Sequence, residues 1–272
     1  EHSIYDLCRV SAKQIGLLED DDIMLMRDVP EDFKLGSEQA RQVDAARQDK
    51  VSIDTAEIKD FLGSFTYPRY FLDYETLSSI VPYFDGHQPY KQIPFQYSLH
   101  IMDSPGAELR HATYLHRENS DPSEPLSKQL QEDIGTSGSI VTWNAKFEMG
   151  CNNDLGKILP EYADFYAGVN ARVVDLMLPF SKGWYIDKAF GGSASIKYVL
   201  PVLVPELSYT ELGIQEGLSA QRLWMESVLD GILLARLTLI AAAYVPGRVI
   251  GMTPGVEALT LGLRREVTPW LQ

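Results

Sequence analysis

Cysteine is nearly missing from this chain: Cys8 and Cys151 are the only two among 272 residues. They stand far apart and outside any Cys-x-x-Cys arrangement, so neither a disulfide framework nor a thiolate zinc site is indicated. No run approaches the ~20 apolar residues of a membrane span, and the first residues do not read as a signal peptide. Basic residues are scarce too, 24 Lys and Arg against 38 Asp and Glu, for a net charge of −14. That balance argues against a grip on duplex nucleic acid by broad counterion release, but leaves room for a protein that meets phosphate through bound metal. Internal repeats are absent. The 45% hydrophobic and 10% aromatic residues that remain are enough for one large domain, or a domain with an attached segment, in a soluble cytoplasmic protein.

The informative stretch is Tyr70-Phe71-Leu72-Asp73-Tyr74-Glu75-Thr76. It reads as an apolar, aromatic strand whose alternation is broken by two carboxylates. Strand side chains at i and i+2 point the same way, so Asp73 and Glu75 share a face with Cα atoms roughly 6.5 Å apart. Two like charges on one face of a buried strand are costly unless something positive lies between them, and hard divalent cations are the usual remedy. A solvated strand end carrying two acids would read the same way.

Residues 1–62 read as a helical leader or as the tail of a preceding domain, in a chain that begins without methionine. Asp54 and Glu57 have the spacing of a capping box ahead of Ile58, Phe61 and Leu62, which predicts a short helix before the key strand. Three strands then follow, over 70–75, 93–101 and 108–116, with a loop over 79–94 between the first two. A helix over 123–133, a strand over 139–143, a helix over 144–159 and a short strand over 172–176 come next. This succession predicts an α/β fold, a ribonuclease H-like mixed five-stranded sheet with helices on both faces. The domain is drawn over 63–244, including a long helical stretch over 219–244, and 245–272 is irregular.

A second block, Trp143-Asn144-Ala145-Lys146-Phe147-Glu148, closes an apolar strand and opens a helix. Glu148 falls in the first helical turn, where amide dipoles favour a carboxylate. That placement alone is explained as well by charge complementarity as by chemistry. The order is more specific: an Asp-x-Glu strand and then strand-Asn-x-x-Phe-acid resembles the DEDD superfamily of 3′-to-5′ exonucleases. Phe71 to Thr76, Pro94-Phe95-Gln96-Tyr97-Ser98-Leu99-His100, Val174-Asp175-Leu176 and the segments 195–201 and 207–212 look like a bacterial family of unknown function. That family carries this exonuclease-like domain, often behind a RecB-like nuclease segment.

The resemblance implies hydrolysis of phosphodiester bonds in single-stranded DNA or RNA, with two Mg²⁺ or Mn²⁺ ions held by four carboxylates. Matched by position, these are Asp73, Glu75, Glu148 in place of the usual Asp, and Asp230. Candidate substrate contacts are Tyr74, Thr76, Asn144, Lys146 and Lys197. The superfamily also places a His or Tyr four or five residues before its last Asp, where this chain has Met225 and Glu226. Glu226 and Asp230 are a like-charge i, i+4 pair that Arg222 offsets if the three form a surface ladder. Asp175 either ligates or braces the next turn. Tyr74, Tyr90, Phe95 and Tyr97 are base-stacking or core residues, and His87 and His100 are proton-transfer or structural ones. The departures from the pattern leave a second reading open, a catalytically degenerate domain that binds nucleic acid or docks a partner nuclease.

Overall fold

The computed structural model describes residues 2–205 and 217–229. The chain begins with α1 (Ala12–Asp20), α2 (Ser37–Gln48), the two-residue strand β1 (Ser52–Ile53) and α3 (Thr55–Gly63). Next come β2 (Arg69–Leu77), β3 (Ile93–Met102), β4 (Arg110–Leu115) and α4 (Ser123–Asp133). Then β5 (Ser139–Thr142), α5 (Ala145–Ile158), α6 (Ala163–Asn170) and β6 (Val173–Asp175) follow. The described elements end with α7 (Leu178–Ser181), β7 (Tyr185–Ile186), α8 (Ile196–Leu203) and α9 (Gly217–Trp224), the last running into a π-helical turn over Met225–Leu229.

These elements form two compact units, the first joining residues 2–64 to 177–205. The leader therefore shares its unit with residues that the sequence reading assigned to the following domain. Its core is built from Ile4, Leu7, Leu18, Met26, Val29 and Val43. An antiparallel ladder pairs β1 with β7, Ser52 opposite Ile186 and Ile53 opposite Tyr185. Strands of two residues carry no readable period, so this pairing is a tertiary feature. The expected α3 is present, with the Asp54 side chain accepting from the Glu57 N–H at 3.2 Å.

The second unit contains Phe65–Leu176 together with α9 and the turn after it. Its sheet has the order β4-β3-β2-β5-β6. The pairs β2–β3 and β3–β4 are antiparallel, whereas β2–β5 and β5–β6 are parallel. This is the mixed five-stranded sheet that the order of elements predicts, and the strands begin and end within a residue or two of the expected positions. One face packs on α4, α5 and α6 through Tyr70, Leu72, Tyr97, Leu99, Leu130, Leu155 and Tyr166. On the other face, Leu77, Ile93 and Phe95 meet Ala220, Trp224 and Val228 of α9 and the π-turn. Gly138 is required where β5 begins: its φ is +86°, and an added Cβ would lie 2.0 Å from the Pro68 carbonyl oxygen.

Candidate functional site

β2 is the central strand, and its alternation sorts its side chains between the two faces. Tyr70, Leu72 and Tyr74 enter the core beneath the helices, so Phe71, Asp73 and Glu75 project to the opposite face. Asp73 is only 6% exposed and Glu75 is half-buried. A register shift between Glu75 and Thr76 bends the β2–β3 ladder at this end, the kind of irregularity that re-aims side chains beside a site. α9 caps the same face, its Trp224 ring stacked on Phe95 at 4.7 Å and its indole N–H donating to the His116 carbonyl at 2.7 Å.

Glu148 arrives from the neighbouring parallel strand. Beyond the end of β5, Asn144 adopts a left-handed conformation, φ 68°, as the N-cap of α5. The Asn144 N–H donates to Asp175 Oδ1 at 2.9 Å, which ties the end of β6 to the start of the helix. Asp175 thus braces this turn. Glu148 follows in the first turn of α5, 0% exposed, and neither carboxylate oxygen has a hydrogen-bond partner. Burial pushes its carboxyl up to about 9, and Asp73 and then Asp175 add to the rise. At neutral pH this acid is therefore protonated unless a cation joins it.

Asp73 on β2 and Asp175 at the end of β6 thus both act electrostatically on Glu148 at the start of α5, near the C-terminal ends of three parallel strands, where open α/β sheets bind ligands. The donor set fits a hard cation, being all carboxylate with a fully buried member that lacks a protein partner. Among the described residues, however, no three His, Cys, Asp or Glu side chains are grouped closely enough to hold a metal ion. Asp230 lies outside the described residues.

The other candidates are dispersed. Tyr74 is buried in the core, with its hydroxyl donating to Asn152 Oδ1 at 2.9 Å. It therefore has no ring face to offer a base, and the expectation that it contacts substrate is corrected: adjacent strand residues point to opposite faces, so Tyr74 cannot share the face of Asp73. Phe95 and Tyr97 are fully buried as well. Thr76 donates to Gln92 Oε1. Asn144 and Lys146 are exposed at the start of α5, and Lys197 is exposed on α8 in the other unit. Arg222 and Glu226 form the expected i, i+4 pair at 3.8 Å. His87 is bound to Asp121 at 2.8 Å, and His100 stacks on His111 with ring centroids 4.1 Å apart.

Ser98 and His111 were not legible as site neighbours. Ser98 sits opposite Asp73 in the β2–β3 ladder, and its Oγ is 3.0 Å from His111 Nε2. The available signal was the polar alternation Gln96, Ser98, His100 inside an otherwise apolar strand. Tyr74→Phe is expected to cost about 1–2 kcal/mol by leaving Asn152 without its donor, read as a lower urea midpoint. A loss of oligonucleotide affinity at unchanged stability would contradict the core assignment.

A protein-family model described as a domain of unknown function (DUF2779) matches residues 70–195. The matched stretch spans Asp73, Glu75, Glu148 and Asp175, and its description names no activity. No curated protein and no solved structure gives a significant match. No helix among the described residues is long and apolar enough to cross a membrane.

Proposed function

We propose that this chain is a divalent-metal-dependent nuclease that shortens single-stranded DNA or RNA from the 3′ end. The observation that carries the reading is the Glu148 carboxyl, wholly buried, without a hydrogen-bond partner and within the fields of Asp73 and Asp175. Such a group is expensive to keep in a fold for packing alone. Asp73, Glu75 and Glu148 would hold Mg²⁺ or Mn²⁺, joined by Asp230 as the DEDD resemblance implies. When bound, two such ions supply an activated water and neutralise charge at the phosphodiester.

The chain's own residues prepare the site. Asp175 fixes the turn at Asn144 and so the direction in which α5 presents Glu148. Glu148 would have to give up its proton to serve as a ligand, which would couple metal binding to pH. Asn144 and Lys146, exposed at the start of α5, would meet phosphate oxygens. The test is a 5′-labelled oligonucleotide incubated with Mn²⁺, Mg²⁺ or EDTA. Stepwise shortening with metal alone supports the reading. No cleavage, combined with no metal-induced rise in melting temperature, defeats it.

A second reading has its own support. The lack of a preassembled three-donor group among the described residues, and the Arg222–Glu226 pair where a His or Tyr is expected, favour a degenerate domain that binds nucleic acid without cleaving it. That reading predicts oligonucleotide binding in EDTA and no hydrolysis in any metal.

A further inference from the structure

A second feature of the β-sheet unit concerns how a strand would be held. Beside the loop that follows β2 lies an open cavity of about 460 Å³, with Lys91, Gln92 and His87 on its loop side and Asp154 and Lys157 on its α5 side. The Asp154 carboxylate accepts from Lys91 Nζ at 2.9 Å through Oδ2 and from Lys157 Nζ at 3.0 Å through Oδ1. Those two hydrogen bonds hold the Asp154 carboxyl below the usual range despite its partial burial. Two ammonium groups share one carboxylate, so this wall carries an excess positive charge in a chain whose net charge is −14. Each ammonium has three N–H donors and spends one on Asp154, leaving donors for a second anion.

Asp154 also sets the spacing of the two cations before any ligand arrives, which lowers the ordering cost of a phosphate clamp. Tyr90 adjoins this wall in sequence. It is 68% exposed, its φ of 63° lies in a region uncommon for tyrosine, and its N–H donates to the Ser79 carbonyl at 2.8 Å. The ring is displayed at some backbone cost rather than buried. Gln92 ties this wall to the acidic strand by accepting from Thr76, the residue after Glu75.

We infer that the cavity between the loop over 79–92 and α5 is a binding subsite for the phosphate backbone of a single-stranded polynucleotide, with Lys91 and Lys157 clamping phosphate and Tyr90 offering a stacking face. The inference rests on the nuclease reading and deepens it by giving the same unit a subsite that holds the strand. It requires no hydrolysis.

The test is fluorescence anisotropy of labelled oligo-dT and oligo-U in EDTA, across a salt series. Lys91→Gln with Lys157→Gln is expected to weaken binding about tenfold or more, and to reduce the slope of log affinity against log salt by about 1.4, roughly 0.7 per lost phosphate contact. Tyr90→Ala is expected to weaken binding without changing the slope, since stacking releases no counterions. A charge-matched control, Lys13→Gln with Lys59→Gln on α1 and α3, should bind as the unaltered protein does. The two oligonucleotides distinguish DNA from RNA as the source of the phosphate. Failure of the unaltered protein to bind either oligonucleotide, an unchanged affinity and slope in the Lys91 and Lys157 variant, or equal weakening in the control overturns the inference. Binding that depends on Lys91 and Lys157 without cleavage in Mn²⁺ sinks the nuclease reading alone. Cleavage whose KM ignores both lysines sinks the subsite alone.

Discussion

Asp73→Ala is expected to lower Mn²⁺-dependent hydrolysis by roughly 10³-fold or more, about 4 kcal/mol of transition-state stabilisation. Asp73 lies on the central strand, almost wholly buried, and raises the Glu148 carboxyl more than Asp175 does. Deleting it removes one proposed ligand and relaxes another. In the variant, Glu148 should ionise closer to the ordinary carboxylate range, because part of the field that holds its proton is gone. The metal-induced rise in melting temperature should shrink in step with activity, whereas stability in EDTA should hold or improve with the repulsion removed. Asp73→Asn keeps the shape and serves as the control for packing. Hydrolysis that survives either substitution would remove Asp73 from the chemistry.

Glu148→Gln should change how stability depends on pH. In the folded protein the Glu148 carboxyl titrates near 9, against an ordinary value of 4.5. Below about 4.5 it is protonated in both folded and unfolded chains, and its contribution to stability is fully present. As pH rises from there toward 9, only the folded chain keeps the proton, so stability falls with a slope of at most about 1.4 kcal/mol per pH unit. Glutamine carries no such proton, so the variant in EDTA should lose this part of the slope and be the more stable protein near pH 8. Saturating Mn²⁺ should reverse the order in that range, because ligation needs the ionised form and strengthens as pH rises. Urea unfolding midpoints from pH 5 to 9, with EDTA and with Mn²⁺, measure both effects. Parallel curves for the two proteins in EDTA would show that Glu148 is not the buried acid the geometry makes it.

Much of the β-sheet unit was legible beforehand because its signals are local. Alternation in β2 and β3, and the apolar period of α4 and α5, reflect which face of each element is buried, and burial is what sheet and helix patterns record. The same alternation separates Tyr74 from Asp73, and of the two readings of Tyr74, base-stacking or core, the core is the one its burial supports. Lys197 lies on α8, in the unit that contains the leader. The bond from Lys91 to Asp154 joins a loop to a helix 63 residues further on, and no local period can announce such a pair.

The letters of the chain by themselves determined the order of strands and helices, the shared face of Asp73 and Glu75, and the helix start that bears Glu148, since each follows from backbone geometry over a few residues. Only the tertiary structure decided that Glu148 is sealed from water without a partner, that Asp175 braces its turn, that Tyr74 is core, and that Lys91 and Lys157 share Asp154. Those facts depend on desolvation and on distances between residues remote in the chain, which exist only once the chain has packed.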